Sequence, residues 1–574
     1  MLRRSVLMCS AAALAAASLP EDAWAGPGDP VAKLLSGLSL EQKVGQLFVG
    51  YVYGDNATAP SAADAAANTA RYGVASGAEV VRRYHLGGVI YFTWSHNLGG
   101  GPAQIAALSN GLQAAARADA GIPLQISTDQ EGGIVNRIGA PLAISPGNMA
   151  AGATADPGAA LRAARVSGQE LLALGINVVD APVVDVNTNP RNAADGPRAF
   201  GDRTAAVALF GAAAVAGYRA AGIGAQAKHF PGLGDTTVNT DNGVAVTDET
   251  REQILATHVP PFVAAIAAGV PSIMAAHIVA PALDPSGAPA SLSRPIVTGL
   301  LRERLRFDGV VVTDALDAAA LAGLTQEQIV LGALDAGIDQ LLMPADPPRA
   351  VRAVLDAVAA GTLTEARIDQ SVRRILRMKR ALGLFDRGDA PAPVVGTPEH
   401  LQTMADIAAR SVTKLKGAGL PLAAGSSVLV TGWGVSTTQT LTDGLAARGL
   451  SATRLWTGSP SPALIAQAVA AAQTAAATVV TTNNAWSDPT QVALVQALLA
   501  TGRPVVVAAV GGPYDIAYFP TAPAYLAVYG YQPPSLAALA DALTGRAGTP
   551  GRLPVTIRTP DGASVLYAFG SGSS

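Results

Sequence analysis

Charged and polar residues directly follow several short hydrophobic segments of this sequence. They are Asp129, Asp185, the pair Lys228 and His229, His277 and Asp314. If the hydrophobic segments are parallel strands of a closed sheet, their carboxyl ends meet at one mouth, where residues far apart in the sequence converge. Packing alone does not require charge at so many strand ends. The pattern therefore predicts a polar site at this mouth.

The residue types at the predicted mouth are those that cleavage of a glycosidic bond requires. That reaction needs a carboxylate beneath the anomeric carbon, a proton donor above the leaving oxygen, and side chains that hold the sugar hydroxyls. Asp314 follows the segment 309–313 and could act as a nucleophile, although an aspartate here could instead cap the following helix. Lys228 and His229 could donate hydrogen bonds to hydroxyl groups, although a histidine is often only a structural hydrogen-bond partner.

Three further residues would complete such a site. Asp129 precedes Arg137 by eight residues, and Arg198 lies in a Gly-Pro-Arg-Ala-Phe-Gly segment. Asp129 would accept a hydrogen bond from a sugar hydroxyl, and the guanidinium groups of the two arginines would donate hydrogen bonds. The sequence contains no Walker-type phosphate loop and no Cys/His metal motif, so it indicates neither a metal nor an organic cofactor.

Eight apolar segments, which alternate with helical patterns, would position these residues. The predicted strands are 47–51, 88–92, 123–128, 177–180, 223–227, 272–276, 309–313 and 339–343. Alanine-rich stretches such as 156–174 and 204–221 have helical spacing. Eight strand-helix units of this kind predict a (β/α)8 TIM-type barrel over residues 26–385.

A second, smaller domain is predicted after a segment rich in proline and glycine. We interpret 386–410 as a linker and 411–574 as an α/β domain, an αβα sandwich. Its predicted strands are 428–431, 478–482, 505–510 and 525–529.

The N-terminus has the features of a leader. Arg3 and Arg4 precede an apolar stretch, and Ala23-Trp24-Ala25 fits a cleavage site. We therefore expect a signal peptide over 1–25 and a secreted, periplasmic or cell-wall location; the paired arginines leave a twin-arginine export route open. Cys9, the only cysteine, lies inside this leader, so neither a disulfide nor a thiolate nucleophile is expected after cleavage.

Composition excludes several classes of partner. The net charge of −3 gives no electrostatic footprint for nucleic acid. No stable membrane insertion is expected after leader cleavage, because the longest uncharged stretch, 455–487, is broken by Gly, Pro, Gln and Thr. One basic run is interpreted as the solvated face of an amphipathic helix: Arg373, Arg374, Arg377, Lys379 and Arg380.

Taken together, several stretches resemble family 3 glycoside hydrolases, and specifically their β-N-acetylglucosaminidase (β-hexosaminidase) branch. The matching segments are 40–47, Asp129-Gln-Glu-Gly-Gly133, 181–187, Arg198-Ala-Phe-Gly201, Lys228-His-Phe-Pro-Gly232, 273–277 and 312–314. Pro550-Gly-Arg-Leu-Pro554 resembles the closing motif of the family's C-terminal domain. The resemblance covers nearly all of the chain after the leader.

The resemblance implies a retaining mechanism with Asp314 as nucleophile. It also implies that Asp129, Arg137, Arg198, Lys228 and His229 contact the sugar at the cleavage point. The implied partner is a carbohydrate, terminal β-linked N-acetylglucosamine of peptidoglycan fragments or chitin-type oligomers. No cofactor and no metal are implied.

The sequence departs from the family pattern where the acid/base histidine is expected. Leu233 replaces the first histidine of that loop, and Asn239-Thr240-Asp241 stands in place of an Asp-x-His pair. The loop resembles a Gly-Asn-Thr-Asp variant of secreted or lipoprotein hexosaminidases of actinobacterial type. Our hypothesis is that Asp241 is the acid and that Asn239 orients it. Asp241 could instead only close a turn, and Asp235 is a weaker candidate for the same role.

Other functions stay open on the sequence alone. They are a β-glucosidase or β-xylosidase of the same superfamily, a phosphorylase that replaces water by phosphate, and a wall-glycan-binding protein without catalysis. Retention of the candidate nucleophile and of all five sugar contacts argues against the last of these.

Overall fold

Eight parallel strands form a sheet that closes on itself. In chain order they are β1 (Phe48–Gly50), β2 (Gly88–Ile90), β3 (Gln125–Thr128), β4 (Val178–Val179), β5 (Gly224–Phe230), β6 (Ser272–Ala275), β7 (Val310–Thr313) and β8 (Leu341–Leu342). Each strand pairs with its chain neighbour, β8 pairs with β1, and a single bridge between Val312 and Gln340 joins β7 to β8. This computed structural model, which describes residues 29–391 and 393–573, therefore confirms the predicted (β/α)8 barrel.

Helices cover the outside of the barrel. They are α1 (Pro30–Ser36), α2 (Leu40–Gln46), α3 (Ala62–Tyr72), α4 (Gly77–Tyr84), α5 (Pro102–Ala120), α6 (Asn148–Ala153), α7 (Pro157–Ala173), α8 (Thr204–Ala221), α9 (Arg251–Thr257), α10 (Val259–Ala267), α11 (Gln326–Ala336), α12 (Pro347–Ala359) and α13 (Glu365–Ala381). Several begin with a capping box, in which a Ser or Thr side chain and a Gln or Glu three residues later satisfy free N–H groups. Helix α8 is apolar and long enough to span a membrane by composition, yet it packs against α7 and α10 as a barrel helix.

The second domain is a six-stranded sheet between two layers of helices. Its strands are β9 (Thr413–Gly417), β10 (Ser427–Gly432), β11 (Ser451–Trp456), β12 (Ala477–Thr482), β13 (Val505–Ala509) and β14 (Ala524–Ala527), in the order β9-β14-β13-β12-β10-β11. Its helices are α14 (Pro398–Ser411), α15 (Val435–Ala446), α16 (Pro462–Thr474), α17 (Pro489–Leu499) and α18 (Pro533–Leu543). Alternate residues of β13 enter two separate apolar clusters, one on each face of the sheet, as expected of a strand buried on both sides.

The predicted linker is wrong over its second half. Helix α14 begins at Pro398, and Thr397 caps it by accepting a hydrogen bond from the His400 N–H. Pro398 occupies the first helical turn, where proline needs no N–H partner. His400 Nδ1 also lies 2.8 Å from Glu170 Oε1 of α7, so this segment is bound to the barrel.

Two other sequence expectations have different outcomes. The predicted leader, 1–25, lies outside the described residues. The basic run does lie on a helix, α13, but Lys379 does not face solvent as predicted: it is fully buried, and its ammonium group donates to Gln46 Oε1 at 2.8 Å. Lysine has a long aliphatic stem, and its place in the run did not distinguish the inward face of the helix from the outward one.

Candidate active site

A cavity of about 560 Å³ opens at the carboxyl ends of the barrel strands. It is lined by the two residues predicted to be catalytic and the five predicted to contact the sugar: Asp314, Asp241, Asp129, Arg137, Arg198, Lys228 and His229. They come from four different strand ends and the loops that follow them. The predicted convergence of distant residues is therefore what the fold produces.

Five charged side chains form a network on one wall of this cavity, and Arg137 is the most exposed of them. Lys228 Nζ lies 2.7 Å from both Asp129 Oδ1 and Glu131 Oε1. Arg198 binds Glu131 with two hydrogen bonds, from Nε at 2.9 Å and from Nη2 at 2.8 Å. Arg137 approaches the other oxygen of Asp129 at 3.3 Å. The network holds the guanidinium groups of Arg198 and Arg137 and the ammonium group of Lys228 in fixed directions at the cavity wall.

The charges of the network support one another despite burial. Burial opposes the charge of Glu131, but Arg198 and Lys228 outweigh it and hold the pKa of Glu131 well below its usual range. Burial likewise opposes the charge of Lys228, and Asp129 and Glu131 raise the pKa of Lys228. Both groups are therefore charged at neutral pH. The sequence analysis names Glu131 only inside a motif and assigns it no role. Lys228 and Arg198 were both predicted to lie at the mouth, and two buried cations need an anion between them, which could have pointed to Glu131.

His229 is held by a second carboxylate, Asp185. Asp185 Oδ2 accepts from the His229 backbone N–H at 3.1 Å and lies 2.7 Å from His229 Nδ1, while Oδ1 accepts from the Leu233 N–H at 2.8 Å. Burial opposes protonation of the ring, and Asp185 outweighs it and raises the pKa of His229. The ring orientation is thus fixed, with Nε2 on the side of Arg198 at 3.3 Å from Nη2.

One group among the described residues has the donor types of a metal site: Asp185, Asp195 and His229, whose ligand atoms lie within 4.8 Å of one another. Asp185 already accepts three hydrogen bonds from the peptide and ring that it positions. Asp195 is fully buried, and burial together with the charge of Asp185 raises the pKa of Asp195 to about 7. This arrangement suits a set of side chains that orients His229 and Arg198 better than it suits a cation site.

Asp314 directly follows β7 and borders the cavity. Its N–H donates to the Ala275 carbonyl at 2.9 Å, and its Oδ1 accepts from the Ala315 N–H at 2.8 Å. No helix begins at Asp314, since the next one is the short 3-10 turn Ala319–Leu321, so the alternative that Asp314 caps a helix is wrong. His277, also selected from the sequence, does not line the cavity; its Nε2 lies 2.9 Å from the Ala315 carbonyl and supports the turn after Asp314.

Asp241 reaches the cavity from the loop after β5. The loop is attached to the segment behind Asp314, because the Ala320 N–H donates to the Thr240 carbonyl at 3.1 Å. Asn239, not Asp241, closes the turn, since Asn239 Oδ1 accepts from the Asp241 N–H at 2.9 Å. Partial desolvation and the negative charge of Asp314 raise the pKa of Asp241 above its ordinary value.

Two other carboxylates differ in their access to the cavity. Asp235, the weaker acid candidate, accepts a hydrogen bond from Thr247 Oγ1 at 2.6 Å and is not among the residues that line the cavity. Asp317 does line it, and burial and the charges of Asp241 and Asp314 raise the pKa of Asp317, while Arg71 opposes the rise. Sequence analysis missed Asp317, although its position three residues after Asp314 is a usable signal.

Comparisons with known proteins agree with this geometry. Residues 39–378 match the family model described as "Glycosyl hydrolase family 3 N terminal domain". The chain is 37% identical over 372 residues to beta-hexosaminidase A of Pseudoalteromonas piscicida, a match that covers 60% of this chain and 62% of that protein. It is 35% identical over 351 residues to a beta-N-acetylglucosaminidase/beta-glucosidase of Cellulomonas fimi, covering 59% of this chain and 60% of that one. The matches thus span somewhat less than two thirds of these relatives.

A solved structure extends the likeness to the second domain. A glycoside hydrolase family 3 beta-N-acetylglucosaminidase from Paenibacillus sp. str. FPU-7 superposes with a TM-score of 0.83 at 35% sequence identity. The superposition covers 91% of this chain and 99% of that one, so both domains are included.

Proposed function

This chain belongs to glycosyl hydrolase family 3, and from that premise we propose that it is a retaining exo-β-N-acetylglucosaminidase. It would remove terminal β-linked N-acetylglucosamine from peptidoglycan fragments or chitooligosaccharides. The observation that carries the proposal is the convergence of Asp314, Asp241 and five sugar-binding candidates on one cavity. The names of the relatives at 35–37% identity support the choice of sugar.

The proposed reaction has two steps. Asp314 attacks the anomeric carbon while Asp241 gives its proton to the leaving oxygen, so the glycosidic bond breaks as a glycosyl–aspartate ester forms. Water then attacks the same carbon, Asp241 takes up a proton from it, and Asp314 leaves as a carboxylate. Two inversions return the sugar in its original β-configuration.

The charged network would hold the sugar during both steps. Asp129 can accept from a sugar hydroxyl, and Lys228, Arg137, Arg198 and His229 can donate to others. Glu131 already fixes Lys228 and Arg198, and Asp185 fixes His229, so these side chains lose little conformational entropy when a sugar binds. The raised pKa of Asp241 keeps a larger share of this group protonated near neutral pH, as an acid requires.

A panel of nitrophenyl glycosides tests the sugar specificity. We expect turnover of the β-N-acetylglucosaminide, and we expect Asp314→Ala to abolish it. A 5-fluoro N-acetylglucosaminyl fluoride should label Asp314 covalently, as mass spectrometry of a digest would show. Absence of both turnover and label would refute the proposal and favour a glycan-binding protein.

A β-glucosidase activity is the second candidate, because the Cellulomonas fimi relative carries both activities in its name. The same panel decides, since turnover of the glucoside but not of the N-acetylglucosaminide would reverse our choice. Added phosphate that yields the sugar 1-phosphate would instead identify a phosphorylase. Export by the predicted leader, 1–25, would place the reaction outside the cell membrane; its detection in culture medium or cell-wall fractions tests this.

A further inference from the structure

One wall of the cavity consists of aromatic residues that the proposed mechanism does not use. Trp94 lines the cavity and is 49% exposed. Its ring stacks on Phe92 with centroids 4.9 Å apart, and Tyr51 meets it edge-on at 4.7 Å. A large, half-exposed indole that is held rigidly by two other rings is a ready platform for a ligand with an apolar face.

A second cavity lies on the other side of this platform. It is an open groove of about 760 Å³. Among its lining residues are Tyr53, Arg71, Arg83 and Ala345. The groove is therefore large enough for at least one further sugar ring.

The two cavities are neighbours, although they have no described lining residue in common. Tyr53 in the groove contacts Trp94 in the cavity, with ring centroids 6.1 Å apart. The loop after β8 borders both, since Met343 lines the cavity and Ala345 the groove. Arg71 of the groove packs against the aromatic group beneath Trp94, since its guanidinium stacks 4.2 Å above the Tyr51 ring, and it donates to the Pro344 carbonyl at 2.6 Å.

We propose that Trp94 and the groove behind it bind the leaving-group side of a β-linked oligosaccharide, beyond the bond that is cut. This inference rests on the proposed function and names its substrate class as chains of three or more sugars. Pyranose rings present apolar C–H faces that pack on indole and phenol rings, while their hydroxyls can bind Arg71, Arg83 and Asp317.

The test compares substrates that differ only on the leaving-group side. N-acetylglucosaminyl fluoride has no ring beyond the bond that is cut, whereas chitobiose and chitotetraose add one and three. We expect kcat/KM to rise from chitobiose to chitotetraose. In Trp94→Ala the ratio of kcat/KM for chitotetraose to that for the fluoride should fall at least about fivefold, the scale of one lost aromatic contact. Tyr53→Ala should lower the value for chitotetraose more than that for chitobiose.

Trp456→Ala is the matched control, because Trp456 is 46% exposed but belongs to the second domain. It should leave both rates unchanged. Equal kcat/KM for chitobiose and chitotetraose, or an unchanged ratio in Trp94→Ala, would overturn the inference while leaving the proposed function intact.

A binding measurement separates the two proposals if the enzyme turns over none of these sugars. Chitotetraose titrated into Asp314→Ala should change the tryptophan fluorescence at lower concentration than chitobiose does, and Trp94→Ala should remove this difference. Equal affinities of the two oligomers would refute the groove as a binding site, whatever the activity.

Discussion

Glu131 offers a sharp test of how the site is built, because it contributes the anion between two buried cations. Its side chain is only 1% exposed, and it accepts from Lys228 at 2.7 Å and from Arg198 at 2.8 and 2.9 Å. Glu131→Gln keeps the shape but removes the charge, and its amide NH₂ would face donors. Breaking a buried ion pair by removing one partner costs about 3–5 kcal/mol. We expect a loss of that order in the free energy of unfolding of the barrel, measured by urea denaturation.

The pH dependence of the free energy of unfolding is a second test of the role of Glu131. The two cations lower the pKa of Glu131 in the folded state, so its stabilising contribution is complete above the unfolded value of about 4.3 and is lost as the pH falls below it. The stability difference between wild type and Glu131→Gln should therefore shrink on acidification. The same variant should lower kcat/KM, since Lys228 and Arg198 lose the group that aims them.

Glu327→Gln is the control for this experiment. Glu327 also pairs with an arginine, Arg349, but the two side chains are 38% and 58% exposed to solvent. Exposed pairs contribute little to stability, so this variant should leave the unfolding midpoint unchanged. Equal midpoints for wild type and Glu131→Gln would refute the idea that Glu131 organises the site.

Two further predictions concern Asp241 and Lys379. If Asp241 is the acid, Asp241→Asn should spare nitrophenyl glycosides, because their leaving group needs no proton, and should slow cleavage of chitooligosaccharides by about 100-fold or more. The variant should also lack the alkaline limb of the pH–rate profile. An equal loss of activity on both substrates would contradict this role. Burial lowers the pKa of Lys379 to about 7. Between pH 7 and about 10 the unfolded chain therefore binds more protons than the folded one. The free energy of unfolding should rise over this range by up to about 1.4 kcal/mol per pH unit. Lys379→Met should lack this slope and be the more stable protein at pH 7 by urea unfolding, whereas parallel slopes for the two proteins would count against the argument.

The barrel could be predicted from the sequence because periodicity is strongest in its strands. Seven of the eight predicted segments contain a strand, the eighth, 223–227, overlaps β5, and helix α8 begins and ends at the predicted residues. In the second domain, β9 and β11 were missed. Both are edge strands of the sheet, and β11 alternates exposed and half-buried residues, so it lacks the continuous apolar run that marked its neighbours.

The site was predictable to the extent that its residues follow strands. Asp129, Lys228, His229 and Asp314 stand at strand ends, where the topology alone brings them together. Glu131 was not assigned, because its role comes from pairing with Lys228 and Arg198, which are distant in the sequence. The helix-cap alternative for Asp314 and the turn alternative for Asp241 could not be decided from spacing, since both depend on which backbone N–H each carboxylate meets.

The second domain acts on the cavity without lining it. Every lining residue that the structure describes lies between Ile90 and Met343, so this domain contributes no side chain there. It instead binds the loops that do. Tyr531 Oη donates to the carbonyl of Ile134, which lies in the turn between Glu131 and Arg137, at 3.5 Å. The Thr556 N–H donates to Asp202, four residues after Arg198, at 2.6 Å.

These contacts explain why a barrel with long mouth loops retains a second domain. Arg198 and Arg137 lie on loops whose backbone has few partners in the barrel sheet itself, and a charged network at 2.7–3.3 Å tolerates little movement of either. A loop anchored on both sides loses less conformational entropy when it binds a sugar than a loop that must first be ordered. The second domain thus supports the two loops that carry Arg137 and Arg198 without lining the cavity itself.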